Sequence, residues 1–128
     1  MSDRENPPGG ENSGLRKDPV LAVEKVGDAS IVRLGGELDL YNAHEVRDTL
    51  LEACSDSPKR VVVDLGEVEF IDSTALGVLI EARTKLADGR GFLLAAPGLE
   101  TRRALQISGL DRHFGVHDTV PEALEASL

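Results

Sequence analysis

The sequence predicts an α/β domain in which a mixed, mostly parallel sheet is flanked by about four helices. Two observations carry this. Strand-like and helix-like apolar periods alternate along the chain, which calls for crossover connections between parallel strands. Two of the runs, RVVVDL and GFLLAA, are continuously apolar or β-branched, as expected of central strands buried on both faces.

The elements follow in order. VLAVEKV and ASIVRLGG read as two strands joined at Gly27 and Asp28, a hairpin signal. After GGELDLY, Asn42 followed by Glu45 predicts an Asn form of the capping box. Ala43, Val46, Leu50 and Ala53 then recur at helical spacing, which predicts a first helix over 42–55. Pro58 ends it and RVVVDL forms the next strand. Residues 64–80 read DLGEVEFIDSTALGVLI: a strand, a short polar break, and a second helix starting at Asp72, Ser73 and Thr74. Leu76, Leu79, Ala82 or Arg83, and Leu86 form its stripe, and Gly89 is its expected stop. GFLLAA is a strand broken by Pro97. LETRRALQISG is a third helix stopped by Gly109, FGVH holds a short strand, and Thr119, Pro121 and Glu122 open a final helix.

The 128 residues suit one domain able to bury a core without disulfides or metal. Residues 1–18, with Pro7, Pro8, Gly9, Gly10 and Gly14 among polar groups, are expected to be a disordered tail, and residues 19–128 the folded domain. Deleting residues 1–18 is therefore predicted to leave the melting temperature nearly unchanged; a large drop would show that the tail packs on the domain. The single Cys54 cannot form an internal disulfide, and no run suggests a signal peptide or a membrane span. A cytoplasmic protein with no membrane association is the expectation. Acidic residues outnumber basic ones 23 to 14, for a net charge of −9. That balance opposes binding to nucleic acid and anionic lipid, and favours a basic protein surface as partner.

The joint at Asp72, Ser73 and Thr74 places three preferred N-cap residues in a row, more than one helix needs. Ser73 is thus an ordinary cap, a nucleophile, or a hydroxyl displayed for modification. Its flanks lack the GxSxG elbow of serine hydrolases. His44, His113 and His117 read as surface or packing residues, because Gly115 interrupts the only metal-compatible spacing. Cys54 reads as a small half-buried apolar residue. Neither GxxxxGK[ST] nor GxGxxG occurs, so no phosphate-cradling loop is indicated. Glu37 and Asp39 follow Gly35 and Gly36 near a strand end, where Asp39 is either a solvated or capping carboxylate or a functional group displayed by a loop.

GGELDLYNAHEVRDTL, VVVDLGEVEFIDSTALGVLI and LQISGLDRHFGVHDTVPEAL, taken together, resemble the anti-sigma factor antagonists of the STAS domain family over residues from about 20 to the C-terminus. The resemblance implies a four- or five-stranded sheet with flanking helices, and a protein that acts by binding and catalyses nothing itself. It further implies that Ser73 is phosphorylated by a partner that is both an anti-sigma factor and an ATP-dependent serine kinase, and that a phosphatase reverses the step. The unphosphorylated protein would sequester that partner and free a sigma factor. Asp39, Asp72, Ser73, Thr74, Leu76 and Gly77 would face it. ATP and magnesium would belong to the partner, leaving this chain with no cofactor or metal. Ala75 departs from the Gly common in the family at that position. The other role the resemblance allows is an accessory subunit of a larger assembly, such as a lipid transporter or a stress-signalling scaffold.

Overall fold

A computed structural model describes residues 18–86 and 89–128. Residues 1–17 of the expected tail lie outside the described residues.

The expected order of elements is present: β1 (Val20–Val26), β2 (Ala29–Leu38), α1 (Ala43–Ser55), β3 (Arg60–Ile71), α2 (Ser73–Arg83), β4 (Phe92–Ala95), α3 (Leu99–Ser108), a 3₁₀ turn (Leu110–Arg112), β5 (Gly115–His117) and α4 (Val120–Glu125). The sheet order is β1-β2-β3-β4-β5. The first pair is an antiparallel hairpin turning at Gly27, whose φ of 61° suits a residue without Cβ, and the remaining pairs are parallel.

Alternation along the central strands divides the core in two. Val61, Val63 and Leu65 of β3, with Phe92 and Leu94 of β4, join Val46, Leu50, Leu76, Leu79 and Leu105 from α1, α2 and α3. Val62, Leu93 and Ala95 point to the other side, where Ala123, Val120 and Leu124 of α4 cover them. A strand buried on both faces explains the unbroken apolar runs. Arg60 holds α4 in place by donating to the carbonyls of Ala123 (2.7 Å) and Ala126 (2.9 Å), acceptors that the helix end leaves open.

Three local expectations are corrected. The polar break after RVVVDL is itself strand: β3 runs to Ile71 because β2 continues through Gly35 and Gly36 to Leu38 and pairs with it across two register irregularities. The second helix stops at Arg83, short of Gly89, and turns carry the chain onward to Leu86. Asn42 precedes α1 but makes no side-chain cap bond. Its Nδ2 donates to the Glu37 carbonyl (2.8 Å) and its Oδ1 accepts from the Asp39 amide (3.0 Å), so the side chain serves the preceding loop. Where Gly109 and Thr119 act, the expected devices hold: Gly109 ends α3 with φ 79°, and the Thr119 hydroxyl caps α4 by accepting from Glu122 N (3.2 Å).

Candidate functional site

Parallel pairing brings the carboxyl ends of β2 and β3 side by side, with Leu38 opposite Ile71. The residues that follow, Asp39 and Asp72, therefore start neighbouring loops at the carboxyl end of the sheet. Asp72 N donates to the Leu38 carbonyl (3.0 Å), which extends the ladder by one bond.

Of the three adjacent capping candidates, Asp72 takes the cap. Its backbone is extended, and its Oδ1 accepts from Ala75 N at 2.9 Å. The second carboxylate oxygen accepts from Leu40 N at 3.1 Å, tying the 39–42 loop to the start of α2. Ser73 and Thr74 occupy the first two helical positions and are exposed. The fold asks no capping bond of the Ser73 hydroxyl. Gly77 is exposed one turn further along, and a Cβ built there meets nothing within 4 Å. Ser73, Gly77 and Ile80 share one solvent-facing stripe, with Ile80 44% exposed.

The opposite stripe of α2 faces inward. Ala75 is 1% exposed and Leu76 8% exposed, both within the larger core cluster. The Ala75 methyl, at the position where the resemblance leads one to expect Gly, thus packs into the core and leaves the solvent-facing stripe unchanged. Leu76 is placed under the site, while Asp72, Ser73, Thr74 and Gly77 are at the surface or close to it.

Asp39 is half-buried, and its Oδ1 accepts from Tyr41 N at 3.0 Å. The loop it opens carries two large apolar side chains that sequence reasoning passed over: Leu40 is 60% exposed and Tyr41 73%. The available signal was an apolar pair in a polar turn between two capping-type residues. Phe70, 51% exposed, lies at the end of β3 opposite Glu37.

On the helical side, Arg47 of α1 grips Glu81 of α2, with Nε and Nη2 at 2.8–3.0 Å from its oxygens. That hydrogen bond holds the Glu81 carboxyl below its usual range. It also holds the Arg47 guanidinium above its own.

The other candidates stay apart from this site. Cys54 is buried with Sγ 3.7 Å from the Ala82 carbonyl, and desolvation pushes its thiol up, away from thiolate reactivity. His113 follows the 3₁₀ turn and His117 ends β5, so the pair shares no helix, and His44 is exposed on α1. Among the described residues no three His, Cys, Asp or Glu side chains gather as metal ligands. A surface hollow of about 430 Å³ is lined by Asp18, Leu21, Gly35, Gly36, Glu37, Glu67 and Glu69. Its four carboxylates oppose a phosphate-bearing ligand.

Comparisons with known proteins agree with this architecture. The family model described as the STAS domain matches residues 20–123. The chain is 34% identical over 95 residues to the anti-sigma-F factor antagonist RsfB of Mycobacterium tuberculosis, covering 74% of this chain and 78% of that protein. It is 34% identical over 97 residues to the anti-sigma F factor antagonist of Paenibacillus polymyxa, covering 73% of this chain and 82% of that one. The crystal structure of an anti-sigma factor antagonist from Mycobacterium paratuberculosis superposes with a TM-score of 0.76 at 35% identity, covering 80% of this chain and 88% of that one. Among the described residues, no helix is long and apolar enough to cross a membrane.

Proposed function

The chain belongs to the STAS domain family, and on that premise we propose that it is an anti-sigma factor antagonist switched by phosphorylation of Ser73. Unphosphorylated, it binds an anti-sigma factor that is also a serine kinase, and so frees a sigma factor in the cytoplasm. A phosphatase resets it. The observation that carries this reading is the division of labour at the start of α2: Asp72 caps the helix, so the exposed Ser73 hydroxyl is left available on a rigid first turn.

Phosphoryl transfer needs little more from the acceptor than position. The Ser73 oxygen attacks the γ-phosphorus of ATP held by the partner, the bond to the ADP oxygen breaks, and the hydroxyl proton passes to a base on the partner. The partner supplies ATP and magnesium as well as that base. The product is tolerated by this fold because the first-turn amides and the positive helix end favour an anion. The docked partner is less tolerant, since a dianion beside Asp72 enters a surface fitted to a neutral hydroxyl.

The direct test incubates the protein with anti-sigma kinases of its own cell and labelled ATP. Label on Ser73 alone is expected. Label on Thr74, or none from any such kinase, would overturn the reading, and co-purification with a membrane permease would favour the accessory-subunit role.

Asp39 provides a second check. Asp39→Lys reverses a charge at the proposed interface and also loses the bond to Tyr41 N, so weaker partner binding is expected with a stability cost of about 1 kcal/mol. Asp39→Asn retains an oxygen for Tyr41 N and removes only the charge, which separates the two effects in calorimetric titration. Unchanged affinity in both would exclude Asp39 from the interface.

A further inference from the structure

We infer that Asp72 is a positioning residue that latches the 39–42 loop to the phosphoacceptor end of α2, and that Leu40 and Tyr41 on that loop are the apolar contact on which the anti-sigma kinase docks. The inference rests on the proposed function and deepens it, by assigning contact and positioning roles at the same site.

The loop is built as a closed polar network. Asp39 N donates to Asn42 Oδ1 (3.0 Å), Leu40 N to Asp72 Oδ2 (3.1 Å), Tyr41 N to Asp39 Oδ1 (3.0 Å) and Asn42 N to the Asp39 carbonyl (3.2 Å). Three of these ties are internal to the loop. The fourth comes from the residue immediately before Ser73 and carries the full charge of a carboxylate, which strengthens the bond. Asp72 therefore satisfies two amides at once, one on each side of the site, and fixes the spacing between the loop and the acceptor hydroxyl.

What this ordered loop displays is apolar. Leu40 and Tyr41 stand 60% and 73% exposed, and neither belongs to the core. A single exposed apolar side chain needs no explanation. Two in succession on a hydrogen-bonded loop, tied to the residue before a candidate modification site, form the kind of pre-ordered anchor that binding surfaces use. Tyr and Leu are large, and held in advance they lose little freedom on docking. The surrounding carboxylates of Glu37, Asp39 and Asp72 define the rest of the fit: a partner with an apolar pocket rimmed by basic groups.

The test separates the two bonds made by Asp72. Asp72→Asn and Asp72→Ser each leave a side chain able to cap α2, yet neither offers Leu40 N a carboxylate oxygen. By NMR, amide hydrogen exchange at Leu40 should accelerate about tenfold in both variants while Ala75 stays protected. Affinity for the kinase that labels Ser73 should fall about tenfold in Asp72→Asn and at least as much in the Leu40→Ser, Tyr41→Ser double variant. If Asp72 acts through the loop, adding Asp72→Asn to that double variant should change affinity by less than about twofold. Unchanged exchange at Leu40 overturns the latch. Wild-type affinity in the double variant overturns the docking role, and full multiplication of the two effects overturns the claim that Asp72 acts through the loop. If no anti-sigma kinase binds the wild-type chain, the proposed function and the docking role fall together, while exchange at Leu40 still decides the latch by itself.

Discussion

Ser73→Ala should abolish labelling by the partner kinase yet still bind it, whereas phosphoserine at position 73, or Ser73→Glu, should bind it weakly with an unchanged circular dichroism spectrum. The asymmetry follows from geometry. In the free protein, position 73 is the first residue of α2, with the cap bond already made by Asp72 and the side chain in solvent. A phosphate adds about −1.5 to −2 charges there, and helix amides with the positive dipole end stabilise it by about 0.3–1 kcal/mol. In the proposed complex the same charge would be desolvated beside Asp72. A penalty of only about 2–3 kcal/mol lowers affinity roughly 30- to 150-fold. Isothermal titration with the unmodified and phosphorylated forms measures this directly. Equal affinities would sink the switch, as would phosphate still appearing on the Ser73→Ala protein through Thr74.

The largest expected effect on stability lies directly beneath that site. Leu79, 1% exposed, anchors the inner stripe of α2 in the main core together with Leu76 and Ala82. Leu79→Ala removes a branched side chain from a close-packed interior and leaves a cavity, which costs about 2–5 kcal/mol. For a domain of this size the melting temperature should fall by roughly 10–25 °C. Thermal and urea unfolding of the variant check this. A loss under about 1 kcal/mol would show that α2 packs less tightly than its burial implies. The helix that displays Ser73 is held by this face and, on its flank, by the Arg47 grip on Glu81, so residual partner binding by the folded fraction of Leu79→Ala reports how far the site depends on that packing.

Much of this was legible beforehand, for reasons visible in particular residues. RVVVDL and GFLLAA announce their strands because a strand covered on both faces can place an apolar residue at every position, and Val61, Val62, Phe92 and Leu93 do. Gly109 and Thr119 announce helix boundaries because a left-handed stop and a hydroxyl cap are properties of single residues. The order of strands and helices, and hence the parallel sheet with its crossovers, follows from such local signals.

Only the tertiary structure decided how the joint is wired. The sequence offers Asp72, Ser73 and Thr74 as equivalent caps, and Asn42 with Glu45 as a capping box. For Asp72 the outcome is set by contact between segments about thirty residues apart. Leu38 lies beside Ile71 in the sheet, so the Asp72 carboxylate sits between Ala75 N and Leu40 N and bonds both. Asn42 turns back to Glu37 at the end of β2 and to Asp39, a choice that depends on how β2 delivers the chain into the loop. Residues 66–70, polar enough to look like a break, stay in β3 because β2 supplies a neighbour for them. Apolar periodicity records which face of one element is buried, averaged along its length. Which donor an oxygen finds depends on what another strand brings within about 3 Å of it, and that information is absent from any single stretch of chain.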